Sequence, residues 1–311
     1  MAKVEVEGIK KIIKIIYMNL NPKKIKKIIQ PPQKHWVGNG FHVHGFFDSF
    51  DQENSPFLLL DYASKEFFPP SSVQRGVGSH PHRGFETVTF AYSGSITHKD
   101  SNGSLGTIKE GDVQWMTAGS GVVHQEFFET EFNKKGGDFE MVQLWVNLPA
   151  RFKMTEPRYQ EILSEQIPVI KQNDITIKVV AGNFRYTNPE GQEINISGIA
   201  KTYSQVSVFQ IDFENQANLH FQSPSQENSM LLVLNGDIEV NGSKIQEKSL
   251  VIFGNSGEGV NISSSSQAKV LFLSGEALGE PIAHYGPFVM NKESELIQAF
   301  EDYKAGKFRQ I

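Results

Sequence analysis

A faint internal repeat constrains this chain more than any other feature. In the first half a strand-forming run reaches a turn at Gly94, and Ile108-Lys109-Glu110-Gly111-Asp112-Val113 then leads to Gly119-Ser120-Gly121-Val122. In the second half the run 231–234 reaches a turn at Gly236, and Ile245-Gln246-Glu247-Lys248-Ser249-Leu250 leads to Gly257-Glu258-Gly259-Val260. Self-similarity of this kind means that one supersecondary plan is used twice. The plan is β: after Pro31-Pro32 the chain runs in short Phe- and Val-rich stretches broken by Gly, Asn, Asp and Ser, with 85–92, 111–116, 122–128 and 141–148 reading as strands. A length of 311 residues exceeds what one core usually serves, so two β-barrels are expected. The expected organisation is a basic leader at 1–30, a first barrel at 31–150, a polar connector at 151–168 and a second barrel at 169–290, followed by a closing helix within 291–311. Asn291 suits the cap of that helix, Glu293 and Glu295 its positive end, and Leu296, Phe300 and Tyr303 form its apolar stripe.

Composition removes several classes of function. With no cysteine, disulfides, thiolate nucleophiles, iron–sulfur clusters and Cys-ligated zinc are all excluded. A net charge of -5 gives no general attraction to nucleic acid or anionic lipid. No apolar run approaches the roughly 20 residues that span a bilayer, and the chain reads as soluble and cytoplasmic. The first 30 residues carry eight lysines and set Ile9, Ile12, Ile13 and Ile16 against Lys10, Lys11 and Lys14, the pattern of a short basic amphipathic helix. Such a segment can lie on a membrane or a partner; the simpler expectation is a dispensable leader ahead of Met18. Lys23-Lys24-Ile25-Lys26-Lys27 reads as a solvated charge run.

The chemistry rests on pairs of ligand-type residues two positions apart. His80 and His82 on a β-strand point to one face, and His124 and Glu126 repeat that spacing after a Gly-rich turn. Three imidazoles and one carboxylate suit a divalent first-row metal and leave iron, nickel, manganese, cobalt, copper and zinc open. Neutral imidazoles are needed to bind it, so affinity is expected to fall below the ordinary His pKa of about 6.5. His42 and His44 have the same spacing without a matching second motif and read as residues of an early hairpin. His98, before Lys99-Asp100, and the isolated His35 and His284 read as solvent-facing or hydrogen-bonded, and Trp115 and Trp145 as barrel packing.

The stretches His80-Pro81-His82-Arg83-Gly84-Phe85-Glu86-Thr87-Val88-Thr89, Gly111-Asp112-Val113-Gln114-Trp115-Met116-Thr117-Ala118-Gly119, His124-Gln125-Glu126 and Gln143-Leu144-Trp145-Val146-Asn147-Leu148 closely resemble the pirin family of the cupin superfamily. Gly286-Pro287-Phe288-Val289-Met290-Asn291 resembles the C-terminal signature of that family. The resemblance is dense in the first half and thin in the second. It implies an all-β bicupin: two tandem double-stranded β-helix barrels with a C-terminal helix and one iron(II) in the N-terminal barrel. The ligands it implies are His80, His82, His124 and Glu126. Most other cupins place the acidic ligand where Glu86 stands here, so Glu86 is the rival, read as a strand residue or a partner of the ligands.

The second repeat lacks the set. Steps of fourteen and twelve residues back from Gly94 reach His80 and His82, whereas the same steps from Gly236 reach Gln222 and Pro224, and Asn261-Ile262-Ser263-Ser264 follow Gly259-Val260. The nearby His220 reads as an ordinary barrel histidine. The family resemblance implies a dioxygenase that opens a quercetin-type flavonol with release of carbon monoxide, its partners being the flavonol and dioxygen, with Glu126 as both ligand and base. The alternative that the resemblance carries is an iron-binding regulatory or adaptor protein that binds a protein partner, as a transcriptional cofactor or a modulator of metabolic enzymes, without turnover.

Overall fold

The computed structural model describes residues 21–48, 50–188, 191–309 and 311. The amphipathic segment anticipated around 9–16 lies outside them. The described residues divide into two compact units, one within 31–166, 202–204 and 277–311, the other within 21–30, 167–201 and 205–276. Both are β-barrels of the same plan, a seven-stranded sheet against a four-stranded one. None of the described helices is long and apolar enough to cross a membrane.

In the unit that holds residues 31–166, the larger sheet runs Arg158–Ile162, Val113–Thr117, Phe85–Ser93, Gly137–Asn147, Phe57–Phe68, Phe41–Phe47 and His35–Val37. The smaller sheet runs Gly76–His82, Val122–Phe128, Ser95–Asp100 and Leu105–Lys109. Alternation fixes which side chains enter the barrel. In Val122–Phe128 the buried Val122, His124, Glu126 and Phe128 share one face, while Gln125 and Phe127 on the other are half-buried. One end of the interior is closed by an apolar plug that includes Phe41, Val43, Ala63, Ile96, Phe128, Phe139 and Met141.

Two sequence expectations change here. Part of the expected connector, Arg158–Ile162, is a strand that pairs with Val113–Thr117. The closing helix runs Glu293–Lys304, and Asn291 does not cap it with its side chain, which donates to the carbonyl of Pro281. The Glu295 carboxylate instead accepts from the backbone N–H groups of Asn291 and Lys292. The buried face of the helix is Leu296, Ala299 and Asp302, and Tyr303 is exposed.

In the other unit the larger sheet runs Ile25–Ile29, Leu250–Phe253, Glu227–Asn235, Ala268–Glu276, Val206–Phe213, Ile175–Ala181 and Val169–Gln172. Residues 25–29, placed with the leader by sequence, are therefore an edge strand of this barrel, paired with Leu250–Phe253. Its interior is filled by apolar side chains, among them Phe184, Phe209, Phe221, Val260, Ile262 and Phe272. His220 stands opposite Asn261 across two paired strands and bonds to its side-chain oxygen.

Candidate metal centre

Two strands deliver the histidines. Gly76–His82 is the edge of the smaller sheet, which is why Pro81, with no N–H to offer a neighbour, is tolerated between the two imidazoles. It pairs antiparallel with Val122–Phe128, putting His80 directly opposite His124 and His82 opposite Val122. The ring centroids lie 4.3 Å apart for His80 and His124, 4.7 Å for His80 and His82, and 4.8 Å for His82 and His124.

Each ring is held by one nitrogen. His80 Nδ1 lies 2.7 Å from the carbonyl of Gly78, and His82 Nδ1 3.4 Å from that of Pro287. Carbonyls only accept, so both Nδ1 atoms donate and both Nε2 atoms carry free lone pairs. His124 follows the same rule through a longer chain. His98 Nε2 lies 3.2 Å from Asp100 Oδ2 and donates to it, which leaves His98 Nδ1 as an acceptor shared between Gln114 Nε2 at 3.1 Å and His124 Nδ1 at 3.4 Å. His124 Nε2 is then left buried with no hydrogen-bond partner. A buried polar nitrogen without a partner is costly in an ordinary core and is what a metal ligand looks like before it binds.

The ligand atoms of His80, His82 and His124 lie within 4.8 Å of one another. Glu126 falls in a second, overlapping cluster with His98 and His124 under the same limit. The structure thus brings the three predicted imidazoles together, and joins Glu126 to them through the shared His124. Both Glu126 oxygens are engaged: Oε1 accepts from Thr89 and Gln114, each at 3.3 Å, and Oε2 accepts from Gln143 at 3.0 Å. Glu86 is buried in Phe85–Ser93 but has the opposite parity to Thr89, accepts from Thr117 Oγ1 at 2.7 Å, and joins no ligand cluster among the described residues. Burial pushes its carboxyl up to about 7.

Burial, with neighbouring imidazoles, holds His82 and His124 well below the ordinary 6.5. Both stay neutral, as ligands must, so the acid release expected below about 6.5 moves to lower pH for these two.

The surroundings lock the His82 strand in place. A Cβ on Gly84 would come within 1.9 Å of the Val289 carbonyl, and its φ of +89° is one that side chains disfavour. Lys153 Nζ reaches the Gly84 carbonyl at 2.8 Å, Asn147 Oδ1 at 2.7 Å and the Val289 carbonyl at 2.9 Å, and burial lowers its pKa to about 7. Arg83 bonds Asp302 Oδ2 at 2.9 Å and lies 4.5 Å from the Phe308 ring, tying the His82 strand to the C-terminal helix.

His98, read from sequence as solvent-facing or hydrogen-bonded, is hydrogen-bonded and fully buried inside the barrel, and its place beside the cluster is what sequence reasoning missed. The same spacing rule that found the other pairs finds His98 and Asp100, and they stand opposite Glu126 and His124 in the register. Trp145 packs in the barrel as expected, against Phe85 at 4.3 Å, and its ring also lies 5.2 Å from His82, with its indole nitrogen buried and unpartnered. Trp115 is fully buried, as expected. His42 and His44 belong to the hairpin of His35–Val37 and Phe41–Phe47, bonded to Glu66 and to the Pro32 carbonyl respectively. His284 stacks on Phe50 with centroids 3.5 Å apart.

Comparison with known proteins matches residues 40–146 to the Pirin family and 208–309 to the Pirin C-terminal cupin domain. A relative from Pseudomonas aeruginosa, whose name assigns it provisionally to the quercetin 2,3-dioxygenases, is 41% identical over 92% of this chain and 98% of its own. Pirin-like protein 2 of Arabidopsis thaliana is 39% identical over 91% of this chain and 84% of its own. The crystal structure of a quercetin 2,3-dioxygenase from Acinetobacter baumannii is 44% identical and superposes with a TM-score of 0.86, covering 93% of this chain and 99% of that one.

Proposed function

The chain belongs to the pirin family, and from that premise we propose that it is a metal-dependent dioxygenase that opens the ring of a quercetin-type flavonol with release of carbon monoxide. The single observation that carries this reading is the convergence of three imidazoles in one barrel, with the His124 Nε2 buried and unpartnered. His80, His82 and His124 would hold the ion, iron(II) in this proposal, with Glu126 as the fourth ligand. Neutral nitrogen donors with one carboxylate fit such an ion without sulfur. When bound, the ion supplies a Lewis-acidic, redox-active centre where flavonol and dioxygen meet.

The chain's own residues do the rest. Thr89, Gln114 and Gln143 orient the Glu126 carboxylate from three sides. Trp145 and Phe85, packed beside His82, offer aromatic faces to a planar ligand and keep water from the reacting carbons. The relatives named as quercetin dioxygenases support the substrate class.

The test is flavonol and dioxygen consumption by the metal-loaded protein. His80→Ala and Glu126→Ala are expected to abolish metal-dependent turnover; a fully active His80→Ala protein would contradict the ligand assignment.

A further inference from the structure

The barrel interior is layered along its axis. Beyond the apolar plug lies a polar layer whose members are set by register: Asp61 opposite Gln143, Gln143 opposite Thr89, and Thr89 opposite Gln114. Cross-strand partners point to the same face of a sheet with Cβ atoms about 5 Å apart. Thr89, Gln114 and Gln143 reach Glu126 from this layer, so Asp61 projects from the same inner face, one strand beyond Gln143. The layer therefore holds two carboxyl groups with opposite surroundings. Glu126 takes three hydrogen bonds, whereas no described residue bonds the Asp61 carboxyl. Gly45, the register partner of Asp61 on its other side, leaves room above it that Asp61 shares with His35: a Cβ there would lie 3.2 Å from Asp61 Oδ1 and 3.1 Å from His35 Cε1.

We propose that Asp61 is the acid–base group of the site, taking the acidic hydroxyl proton of a planar polyhydroxylated aromatic substrate and returning it to an oxygen of the product, while Glu126 acts as ligand only. This rests on the reading of the barrel as a flavonol dioxygenase. In the forward step the substrate O–H bond breaks, its electron pair stays on the substrate oxygen, and the proton forms an O–H bond on Asp61. In the reverse step that proton passes to the carboxylate that ring opening creates, so Asp61 ends each cycle as it began. Glu126 already accepts three hydrogen bonds and would give a remaining lone pair to the ion, whereas no described residue bonds the Asp61 carboxyl. Burial, with Asp48 adding a like charge, raises the Asp61 carboxyl to about 7, where it exchanges protons in both directions near neutral pH. The titratable groups facing it are Asp48 and the exposed edge-strand His35; Gln143 on the other side carries no charge.

The test is anaerobic titration of the metal-loaded full-length protein with quercetin, reading the absorbance shift of flavonol deprotonation across pH. Asp61→Asn is expected to keep its metal content, to weaken deprotonating binding at least about tenfold at neutral pH, and to lower kcat in air by about 10²-fold or more, with partial recovery in Asp61→Glu. An Asp61→Asn protein that binds and deprotonates quercetin as the parent does at every pH overturns the proposal. If the parent binds no flavonol, the substrate reading falls, and Asp61 is judged separately by infrared difference spectroscopy. A protonated-carboxyl band that disappears around pH 7 in the parent and is missing from Asp61→Asn upholds an acid–base group there. No difference between the two spectra overturns it; Glu86 contributes equally to both.

Discussion

Each imidazole of the cluster is anchored through one nitrogen, which leaves the other for an ion, and for His124 that anchoring depends on His98 and Asp100. Partners of this kind fix ring orientation and tautomer, and losing one typically costs about 10–100-fold in metal affinity. His98→Phe is therefore expected to weaken metal binding by that factor in competition with a chromogenic chelator, with His98→Gln in between; unchanged affinity would show that His124 is positioned without it. Glu86 gives a second residue-scale expectation. Its folded carboxyl stays protonated up to about 7 while the unfolded one ionises from 4.5, so stability falls as pH rises between those values. Glu86→Gln escapes this penalty and should gain about 3 kcal/mol on its parent from below 4.5 to above 7 in denaturant titrations. A gap independent of pH would contradict the buried, protonated assignment. The sequence singled out His80, His82 and His124, which the structure brings together, because strand spacing is visible in it. Asp61, Gln143 and Gln114 were not legible as site residues, since only pairing between distant strands puts them in one layer.

At the scale of elements, the C-terminal helix is tied to the chain just after the His80 and His82 strand by a buried ion pair. Asp302 bonds Arg83, the residue after His82, and Lys307, with Arg83 and Gln298, holds its carboxyl at about 2. Because the folded value is lowered, this contribution is present above the ordinary 3.8 and is lost as pH falls through about 2. Asp302→Ala is expected to destabilise the metal-free protein by about 2–3 kcal/mol at neutral pH and to speed metal loss, read by thermal unfolding and chelator exchange. A variant with unchanged unfolding and metal release would separate helix from site. The four strands read from sequence in the first barrel lie close to Phe85–Ser93, Val113–Thr117, Val122–Phe128 and Gly137–Asn147, since their apolar runs are bounded by turn residues. Residues 25–29 and 158–162 were misread because both are edge strands, whose polar, half-exposed residues look like linker until a partner strand is known.

At the scale of the molecule, one plan of seven and four strands is used twice. The repeat was legible in the sequence because its turn glycines and apolar runs recur. The expected difference between the copies rests on Gln222 and Pro224 standing where the same count in the first copy reaches His80 and His82. The actual pairing of His220 with Asn261 was hidden by a small shift of register. Phenylalanines occupy the interior of the second barrel, and the expected stoichiometry is one ion per chain, unaffected by His220→Ala in elemental analysis; loss of metal in that variant would refute the assignment. The most direct measurement is anomalous diffraction from crystals of metal-loaded protein at the absorption edge of the ion. The account predicts one peak per chain within bonding distance of the Nε2 atoms of His80, His82 and His124, and a peak elsewhere, or none in that barrel, would contradict it.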